Sequence, residues 1–417
     1  MPALTRTIET DVCVVGAGVI GLAHAHEARR RGLSVVVLER DARASGASVR
    51  QTGHLFFSAL ASGAALDAAP RARERWLELA GRAGAAADEG GTLILARHRD
   101  ELAVLEGAAD ERERHARMRS PKKIGRLVPI PTDGILAAFH AKRDLRIGPR
   151  SAPAALARLL TKDPNARVEW GAHVHDIEPG VVHAGALRVR AEAIVLCPGA
   201  DHRMLPTELR PRDSGLTLRQ TQMLRLAAPS GRRYRQTLAT GLSLLEHPAF
   251  CAQEGAQELR ERLELETPEL VERGVSLVVT QLSDGELVIG STSTYTDTPS
   301  PYLRERLDSL VLDQARGILG IEPAVQQRWG STHVSLPTSP DDFLVTHPMP
   351  GVRVVQGTRS TAAALCHAQA ETVLNELLAE PPPTAMYISV RDMRAAAAQA
   401  GGVRDHASAF GSSQRTG

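Results

Sequence analysis

Lysine is nearly absent from this sequence of 417 residues. Of the 50 lysine and arginine residues, only Lys122, Lys123, Lys142 and Lys162 are lysines, which leaves 46 arginines. Because no lysine follows Lys162, a positively charged side chain after that residue must be an arginine or a protonated histidine. This bias limits the residues that can serve a reaction centre there.

Cysteine is also scarce. Cys13, Cys197, Cys251 and Cys366 are far apart and form no CxxC pair, and two of them fall in predicted core strands. This pattern disfavours a disulfide-stabilised scaffold and a cysteine zinc site. We therefore expect a reduced, cytoplasmic protein without a metal site.

Long apolar segments are missing as well. No apolar run approaches the roughly 20 residues of a membrane-spanning helix. The first ten residues lack the basic region and apolar stretch of a signal peptide. The formal net charge is only +2, which gives no electrostatic reason to expect nucleic-acid binding. Neither a nucleic-acid partner nor a membrane span is expected.

The most informative stretch is DVCVVGAGVIGLAHAHEARRRGLSVVVLE, residues 11–39. A short apolar run, typical of a buried parallel strand, leads into a G-x-G-x-x-G motif formed by Gly16, Gly18 and Gly21. A predicted helix then runs to Arg31, and a second strand ends at Glu39. These features follow one another in the order that a dinucleotide-binding βαβ unit requires.

Each residue of this motif has a predicted role. Gly16 permits the tight turn, Gly18 lets a pyrophosphate approach the backbone at the helix N-terminus, and Gly21 lets the helix pack closely on the strand. Glu39 is placed to bind ribose hydroxyls, which disfavours NADP with its 2′-phosphate. The alternative interpretation is a glycine-rich turn that binds no nucleotide.

The rest of the chain predicts an alternation of helices and strands. Helices are predicted at 71–87, 101–119, 152–160, 302–319 and from Ser360 onward. Strands are predicted at 92–96, 135–140, 168–170, 174–177, 193–197, 216–225, 276–281, 286–291 and 352–355. Ser283-Asp284-Gly285 signals a hairpin. The segment from about Ala395 is low in complexity and is interpreted as a loose tail.

Taken in order, these pieces resemble the FAD-dependent amine oxidoreductases related to D-amino acid oxidase, glycine oxidase and sarcosine oxidase. The resemblance spans roughly residues 10–378. It rests on the VGAGVIG unit with Glu39, the Gly46-Ala47-Ser48 loop, LCPGAD at 196–201, the SDGELVIGS hairpin and the late strand-Gly-Thr-helix at 352–361.

Within that group the chain looks closest to a subgroup associated with organophosphonate metabolism. The segments that carry this similarity are GLAHAHEARRRGLSVVVLER, GASVR, DLRIGPR, LCPGAD and DGELVIG. The resemblance implies an α/β fold, with a Rossmann-like FAD-binding domain of the glutathione reductase type and a substrate domain built on an antiparallel sheet. The expected FAD-binding domain is discontinuous and comprises 1–90, 140–215 and 326–380; the substrate domain comprises 91–139 and 216–325, and 381–417 is a partly loose extension.

The resemblance also implies the cofactor site. Ser48 is expected near the flavin, Val174 near the adenine, and Gly357 and Thr358 near the pyrimidine edge of the flavin. The full set expected to hold FAD is Gly16, Gly18, Gly21, Glu39, Arg40, Ser48, Val174, Gly199, Gly357 and Thr358.

We expect the FAD to be bound without a covalent link. Relatives with a cysteine-linked flavin carry the cysteine just before a T-x-T-P-D-like segment, and here Val334 precedes Pro337-Thr338-Ser339-Pro340-Asp341 at that place. His54, in the flavin loop, is an alternative attachment point, although a histidine packed in a polar loop is the simpler interpretation.

The substrate-binding residues are harder to choose. A substrate acid calls for an arginine clamp, and the candidates are Arg50, Arg146, Arg219 and Arg359. Many oxidases of this group use a lysine near the flavin to promote reaction with dioxygen. Here an arginine or histidine would have to act, with His333 preferred over His247.

These features predict FAD-dependent oxidation of the C–N bond of a small amino acid, N-methylated amine or aminophosphonate. The product would be an imine that hydrolyses, with dioxygen or another acceptor taking the electrons. Two alternatives stay open: flavin-dependent oxidation of a 2-hydroxy acid, and a noncatalytic flavin-binding partner protein. The second is favoured by departures from the subgroup at 244–248 and at Arg359.

Overall fold

The computed structural model describes residues 6–112, 115–211 and 215–380. Its strands are β1 (Arg6–Val15), β2 (Val35–Glu39), β3 (His54–Leu55), β4 (Ala87–Asp88), β5 (Thr92–Ala96), β6 (Ala116–Arg119), β7 (Ala137–Ala141), β8 (Leu145–Ile147), β9 (Ala166–Trp170), β10 (Asp176–Glu178), β11 (Val181–Ala184), β12 (Leu187–Leu196), β13 (Thr217–Leu226), β14 (Thr237–Thr240), β15 (Val278–Gln281), β16 (Leu287–Gly290), β17 (Thr294–Thr296), β18 (Val325–Ser335), β19 (Phe343–Met349) and β20 (Val352–Gly357).

The helices connect these strands. They are α1 (Val19–Arg30), α2 (Ala64–Ala83), α3 (Arg99–Glu111), α4 (Pro121–Leu127), α5 (Ala152–Thr161), α6 (Pro248–Cys251), α7 (Ala256–Glu266), α8 (Pro268–Glu272), α9 (Glu305–Leu319) and α10 (Ala362–Ala379). Within the described residues, none of them is both long and apolar enough to cross a membrane.

The first sheet has eight strands in the order β10-β11-β12-β1-β2-β9, with β20 also paired to β12 and β19 to β20. The pairs of β1 with β12 and β2, of β2 with β9, and of β12 with β20 are parallel. Parallel strands present their carboxyl ends at one edge, where open α/β sheets bind ligands. Here that edge collects the residues that follow β1, β2, β12 and β20.

Helices α1, α5 and α10 cover one face of this sheet, and α2 packs against α10 and α5. The strands below them are apolar on both faces, with Val12, Cys13 and Val14 fully buried in β1, as expected for parallel strands. Trp76 of α2 is also buried and donates its Nε1–H to the carbonyl of Ala363 in α10 at 3.0 Å. This hydrogen bond ties the two helices together at the start of α10.

The second sheet has nine strands in the order β17-β13-β16-β15-β14-β5-β7-β6, with β18 paired along β13. All of its pairs are antiparallel except β5 with β14. The predicted hairpin forms as β15 and β16. The α/β fold class with a second, mainly antiparallel sheet is therefore confirmed, and a small three-stranded sheet of β3, β8 and β4 lies beside them.

Several predicted element boundaries are wrong. The helix predicted to reach residue 119 ends at Glu111, and 116–119 form β6, whose residues pair with β7. The strand predicted from Val174 begins only at Asp176. The helix predicted at 71–87 spans Ala64–Ala83 with Pro70 inside it, and Ala87 belongs to β4. In the first case a long-range partner strand overrides a helical pattern.

The predicted domain boundaries remain a prediction. By sheet membership, β18 belongs with the second sheet, because Thr217 to Leu226 pair with its residues over most of its length. A division by sheets would therefore fall after Ser335 rather than at residue 326. The predicted loose tail lies outside the described residues.

Candidate active site

A cleft of about 490 Å³ opens between the carboxyl edge of the first sheet and the second sheet. The first sheet contributes the turns that follow β1, β2, β12 and β20. The second sheet contributes residues of β13, β15, β16 and β18. All predicted cofactor-binding residues line this cleft, and so do all four predicted catalytic residues, His333, Arg50, Arg219 and Arg359.

The three glycines of the motif are required by close contacts. Gly16 has φ +104°, and a Cβ there would lie 2.4 Å from the carbonyl oxygen of Cys197. A Cβ on Gly21 would lie 1.9 Å from the carbonyl oxygen of Gly16. Gly18 precedes α1, and its Cβ would lie 3.0 Å from the hydroxyl oxygen of Ser48. Larger residues would close the turn and fill the space in front of the helix N-terminus.

Two side chains hold this turn in place. Glu39, at the end of β2, accepts the backbone N–H of Ala17 at 2.8 Å and that of Asp41 at 3.1 Å. Ser48 accepts the backbone N–H of Val19, in the first turn of α1, at 3.0 Å. The carboxylate expected to meet the ribose is thus fixed beside the glycine motif, and the Gly46-Ala47-Ser48 loop is fixed over the helix N-terminus.

The predicted neighbours of the nucleotide lie around this turn. Arg40 pairs with Asp201, which follows β12, at 2.8 Å. Gly199 adopts φ +56° in the same turn. Val174 lies in the irregular segment between β9 and β10, where its backbone is not committed to a strand. These residues line the end of the cleft formed by β2, β9 and β12.

Gly357 and Thr358 lie where β20 leads toward α10. A Cβ on Gly357 would lie 2.9 Å from both Ala362 and Ile20. Thr358 donates its backbone N–H to the carbonyl of Asp342 at 2.9 Å and its hydroxyl to that of Asp341 at 2.7 Å. The backbone N–H of Thr358 therefore already has an acceptor within the protein. A ligand that approaches the backbone closely at this turn would do so at Gly357, which has no side chain.

On the other wall, Arg219 of β13 lies opposite His333 of β18. The Arg219 guanidinium donates from Nη2 to the Glu246 carboxylate at 2.6 Å and from Nε to the Ser293 hydroxyl at 2.7 Å. Glu246 and the neighbouring His247 come from the 244–248 segment in which the sequence departs from its resemblance. That segment supplies two polar groups to the cleft.

Of the two cleft histidines, His247 is buried and His333 is half-buried. Burial, followed by the charge of Arg219, lowers the pKa of His333 to about 3. Burial, followed by Arg219 and then by His54 and Arg359, lowers the pKa of His247 to about 3. Both imidazoles are therefore neutral at pH 7 and act as hydrogen-bonding groups rather than as cations.

His54 also lines the cleft, where its Nε2 lies 2.7 Å from the Thr92 hydroxyl oxygen. Its ring stacks at a tilt against Phe56, with centroids 4.5 Å apart, and Phe56 in turn meets the edge of His247. These contacts agree with a histidine packed in a polar loop. The noncovalent attachment of the flavin remains a prediction.

The other arginine candidates differ in placement. Arg359 lines the cleft and donates from Nη2 to the carbonyl of Ser339 at 2.8 Å, while its Nε is buried without a hydrogen-bond partner in the described chain. Arg50 is exposed at the cleft rim. Arg146 lies outside the residues that line the cleft, because β8 belongs to the small sheet, where Arg146 pairs with Asp88. Arg146 is therefore not a clamp in this arrangement.

Sequence reasoning missed Glu246, Ser293 and Asp201 as site residues. Glu246 and Ser293 belong to no motif and contact Arg219, which is distant in sequence, whereas Asp201 ends the LCPGAD segment and pairs with Arg40. The expectation of no metal site stays a prediction: Asp176, Glu178 and His183 approach within 4.8 Å of one another on the β10–β11 hairpin, outside the cleft.

The residues present fit FAD. The glycines keep the helix N-terminus open for a pyrophosphate, and Glu39 is held where a ribose would lie. The turn after β20 provides a second close backbone approach, and the second sheet supplies a polar wall opposite. Arg219 and His333 lie on that opposite wall.

Comparisons with known proteins agree with this fit. The sequence profile of the FAD dependent oxidoreductase family DAO matches residues 11–375. A sequence search against curated proteins finds no significant match.

Similar solved structures include glycine oxidase from Geobacillus kaustophilus, with a TM-score of 0.71 and 19% identity over 90% of this chain and 96% of that chain. L-proline dehydrogenase from P. horikoshii has a TM-score of 0.72 and 16% identity over 90% and 94%. L-alpha-glycerophosphate oxidase from Mycoplasma pneumoniae, solved with FAD bound, has a TM-score of 0.67 and 16% identity over 91% and 97%. At these identities the similarity establishes the fold.

The family profile covers most of the chain, and the glycine turn, Glu39 and the late Gly357 turn meet at one cleft. The chain belongs to the DAO family of FAD-dependent oxidoreductases.

Proposed function

We propose that this chain oxidises the C–N bond of a small amine that also carries an acidic group, giving an imine that hydrolyses. The supporting observation is the charge of the cleft outside the glycine turn, Glu39 to Asp41 and Asp201. Arg50, Arg219 and Arg359 line the remainder, and Glu246 is its one carboxylate among the lining residues. An excess of guanidinium groups favours a substrate with a carboxylate or phosphonate, because arginine binds such groups through paired hydrogen bonds.

Bound FAD supplies the two-electron acceptor for this oxidation. The contribution of the chain is to bind the acidic group, to point the α C–H bond at the flavin and to exclude water. Neutral His247 and His333 can each hold a proton on one ring nitrogen and accept a hydrogen bond at the other. Both are therefore suited to accept a hydrogen bond from the nitrogen of the substrate without repelling it.

The electron acceptor is dioxygen or another oxidant. No lysine is among the residues that line the cleft in the described chain, so a lysine does not assist the reaction with dioxygen there. Because His247 and His333 are neutral at pH 7, we assign any positive charge that promotes this step to an arginine, with Arg359 the best placed. Reoxidation in air is then either slow or sensitive to Arg359→Met.

Candidate substrates are glycine, N-methylglycine, D-amino acids and N-methyl-2-aminoethylphosphonate. The phosphonate rests on sequence similarity to the organophosphonate-associated subgroup. Oxidation of a 2-hydroxy acid is the second candidate, and the similar fold of L-alpha-glycerophosphate oxidase keeps it open. A noncatalytic role is less well supported, since the unusual 244–248 segment places Glu246 and His247 in the cleft.

A reducing, cytoplasmic location is part of the proposal. Its support is that all four cysteines, Cys13, Cys197, Cys251 and Cys366, are free. Folded proteins of oxidising compartments more often pair their cysteines.

A turnover assay with a matched pair of variants tests the proposal. Arg219→Met should raise KM by about 10- to 100-fold, the range for losing one charged hydrogen bond. Arg225→Met is the control, because Arg225 lies on the same strand, has the same 16% side-chain exposure and also pairs with acids, yet lies outside the cleft lining. Release of ammonia or methylamine identifies C–N oxidation. Turnover of 2-hydroxy acids alone, or equal effects of the two variants, would contradict the proposal.

A further inference from the structure

We infer that Arg219 and Glu246 together form a receptor for a zwitterion, in which Arg219 binds the acidic group of the substrate and Glu246 binds its ammonium group. This inference rests on the proposed function and narrows it. It selects substrates that arrive with the amine protonated and close to the acid, and it makes Glu246 a specificity-determining residue.

Hydrogen bonds within the protein fix one side of the Arg219 guanidinium and one oxygen of the Glu246 carboxylate. Arg219 Nη2 lies 2.6 Å from Glu246 Oε1, and Arg219 Nε lies 2.7 Å from the Ser293 hydroxyl oxygen. The same Ser293 hydroxyl donates to Glu246 Oε1 at 3.4 Å. These contacts use the Nε and Nη2 edge of the guanidinium and one carboxylate oxygen, so the orientation of both groups is fixed before a ligand arrives.

The opposite sides of both groups are unused. Arg219 Nη1 and Glu246 Oε2 form no hydrogen bond within the described part of the chain, and neither atom is fully buried. Both residues line the cleft. The pair therefore offers one accessible donor and one accessible acceptor within the cleft, which suits a ligand that carries both an anionic group and an ammonium group.

The charges also favour a zwitterion. Glu246 neutralises Arg219, so an anion without an amine gains attraction from Arg219 but is repelled by Glu246. The adjacent His247 and His333 are neutral at pH 7 and do not change this balance. The side chains of Arg219 and Glu246 are only 16% and 23% exposed, so solvent screens their fields less than at the surface. A ligand with both charges is attracted by both partners.

The test uses two ligands of the same shape, 2-aminoisobutyrate and pivalate, which differ by an ammonium group in place of a methyl group. Neither has an α C–H bond, so neither can be oxidised to an imine at that carbon. Each is titrated into the FAD-loaded protein, and dissociation constants are read from the change in flavin absorbance. We expect the wild type to bind 2-aminoisobutyrate at least about 10-fold more tightly than pivalate, the scale of one charge-assisted contact.

Glu246→Gln should reduce this preference by at least about 10-fold, by weakening 2-aminoisobutyrate and strengthening pivalate. Glu246→Asp, which keeps the charge, should retain most of it. Glu286→Gln is the matched control. Glu286 pairs with Arg225, which lies on β13 like Arg219, and its side chain is 29% exposed, but it lies outside the cleft lining. FAD content and circular dichroism verify that each variant is folded.

The inference is overturned if Glu246→Gln keeps the wild-type preference, if the wild type shows none, or if neither ligand perturbs the flavin. These outcomes are independent of turnover. A preference that depends on Glu246, in a protein whose flavin no amine reduces, would refute the proposed oxidation and leave the receptor intact. Amine oxidation without such a preference would refute the zwitterion receptor and leave the proposed oxidation intact.

Discussion

Acidification should destabilise the protein through three buried histidines on the helices that cover one face of the first sheet. His24 and His26 lie on α1, and His367 lies on α10 with its ring against the edge of Trp76. His24 donates from Nδ1 to the carbonyl of Ile20 at 2.8 Å, so its bare Nε2 is buried without a partner. A proton added at Nε2 would place a charge where nothing in the described chain accepts it.

The size and sign of this change in folding stability follow from the pKa values. Burial lowers the pKa of His24 from 6.5 to about 4, against smaller raising effects of Ile20 and Glu27. Between pH 6.5 and 4 the unfolded chain binds the proton and the folded chain does not, so stability falls as pH falls through this window. At pH 5 the loss is about 2 kcal/mol for His24, a large share of the 5–15 kcal/mol typical of folded proteins.

The other two histidines act in the same direction. Burial, with the charges of Arg82 and Arg75, lowers the pKa of His26 to about 4. Burial, with His26 and Arg75, lowers that of His367 to about 3. Because the three sites influence one another, their losses at pH 5 will not simply add.

Guanidinium unfolding at pH 7.5 and pH 5.0, followed by circular dichroism, measures the effect. The loss between the two pH values should be about 2 kcal/mol smaller in His24→Leu than in the wild type, because leucine has no proton to bind. His347→Gln, at an exposed histidine, should lose as much as the wild type. Equal losses in the wild type and His24→Leu would refute the assignment of a neutral, buried His24.

Three further predictions concern single residues. Gly21→Ala should abolish FAD uptake, measured by absorbance after desalting, because its Cβ would lie 1.9 Å from the carbonyl oxygen of Gly16; uptake at the wild-type level would contradict the close packing. Glu39→Gln should weaken FAD binding by about 10-fold or more in fluorescence titrations, since a charged acceptor of hydrogen bonds is lost; an unchanged dissociation constant would remove Glu39 from the ribose site. Trp76→Phe should lower the free energy of unfolding by about 1–3 kcal/mol in thermal melts, because the buried hydrogen bond to Ala363 is lost; a change below about 0.5 kcal/mol would show that this bond contributes little.

The nucleotide half of the site could be predicted from sequence because its geometry is local. Gly16, Gly18 and Gly21 are separated by a few residues, and the steric demands of a strand turning into a helix fix what each must be. Glu39 follows from the same unit, since β2 runs parallel beside β1 and ends at the same edge.

The substrate half could not be predicted in the same way. The contact of Arg219 with Glu246 depends on how β13 meets the 3-10 helix Gly241–Glu246 in three dimensions. No spacing in the sequence connects the two residues. Arg146 looked equivalent to Arg219 as a candidate, yet the pairing of β8 with β4 turns it toward Asp88. Likewise, the sequence pattern at 116–119 favours a helix, but these residues form a strand because they pair with β7, which is distant in sequence.

The central claim is that the cleft holds FAD and passes electrons to it from an amine. The most direct measurement is the absorbance spectrum of the purified protein, followed without oxygen during additions of N-methylglycine, glycine, D-alanine and N-methyl-2-aminoethylphosphonate. The account predicts a yellow protein whose flavin is bleached by at least one of these amines. A colourless protein that cannot take up FAD, or a flavin that keeps its colour with every amine, would contradict it.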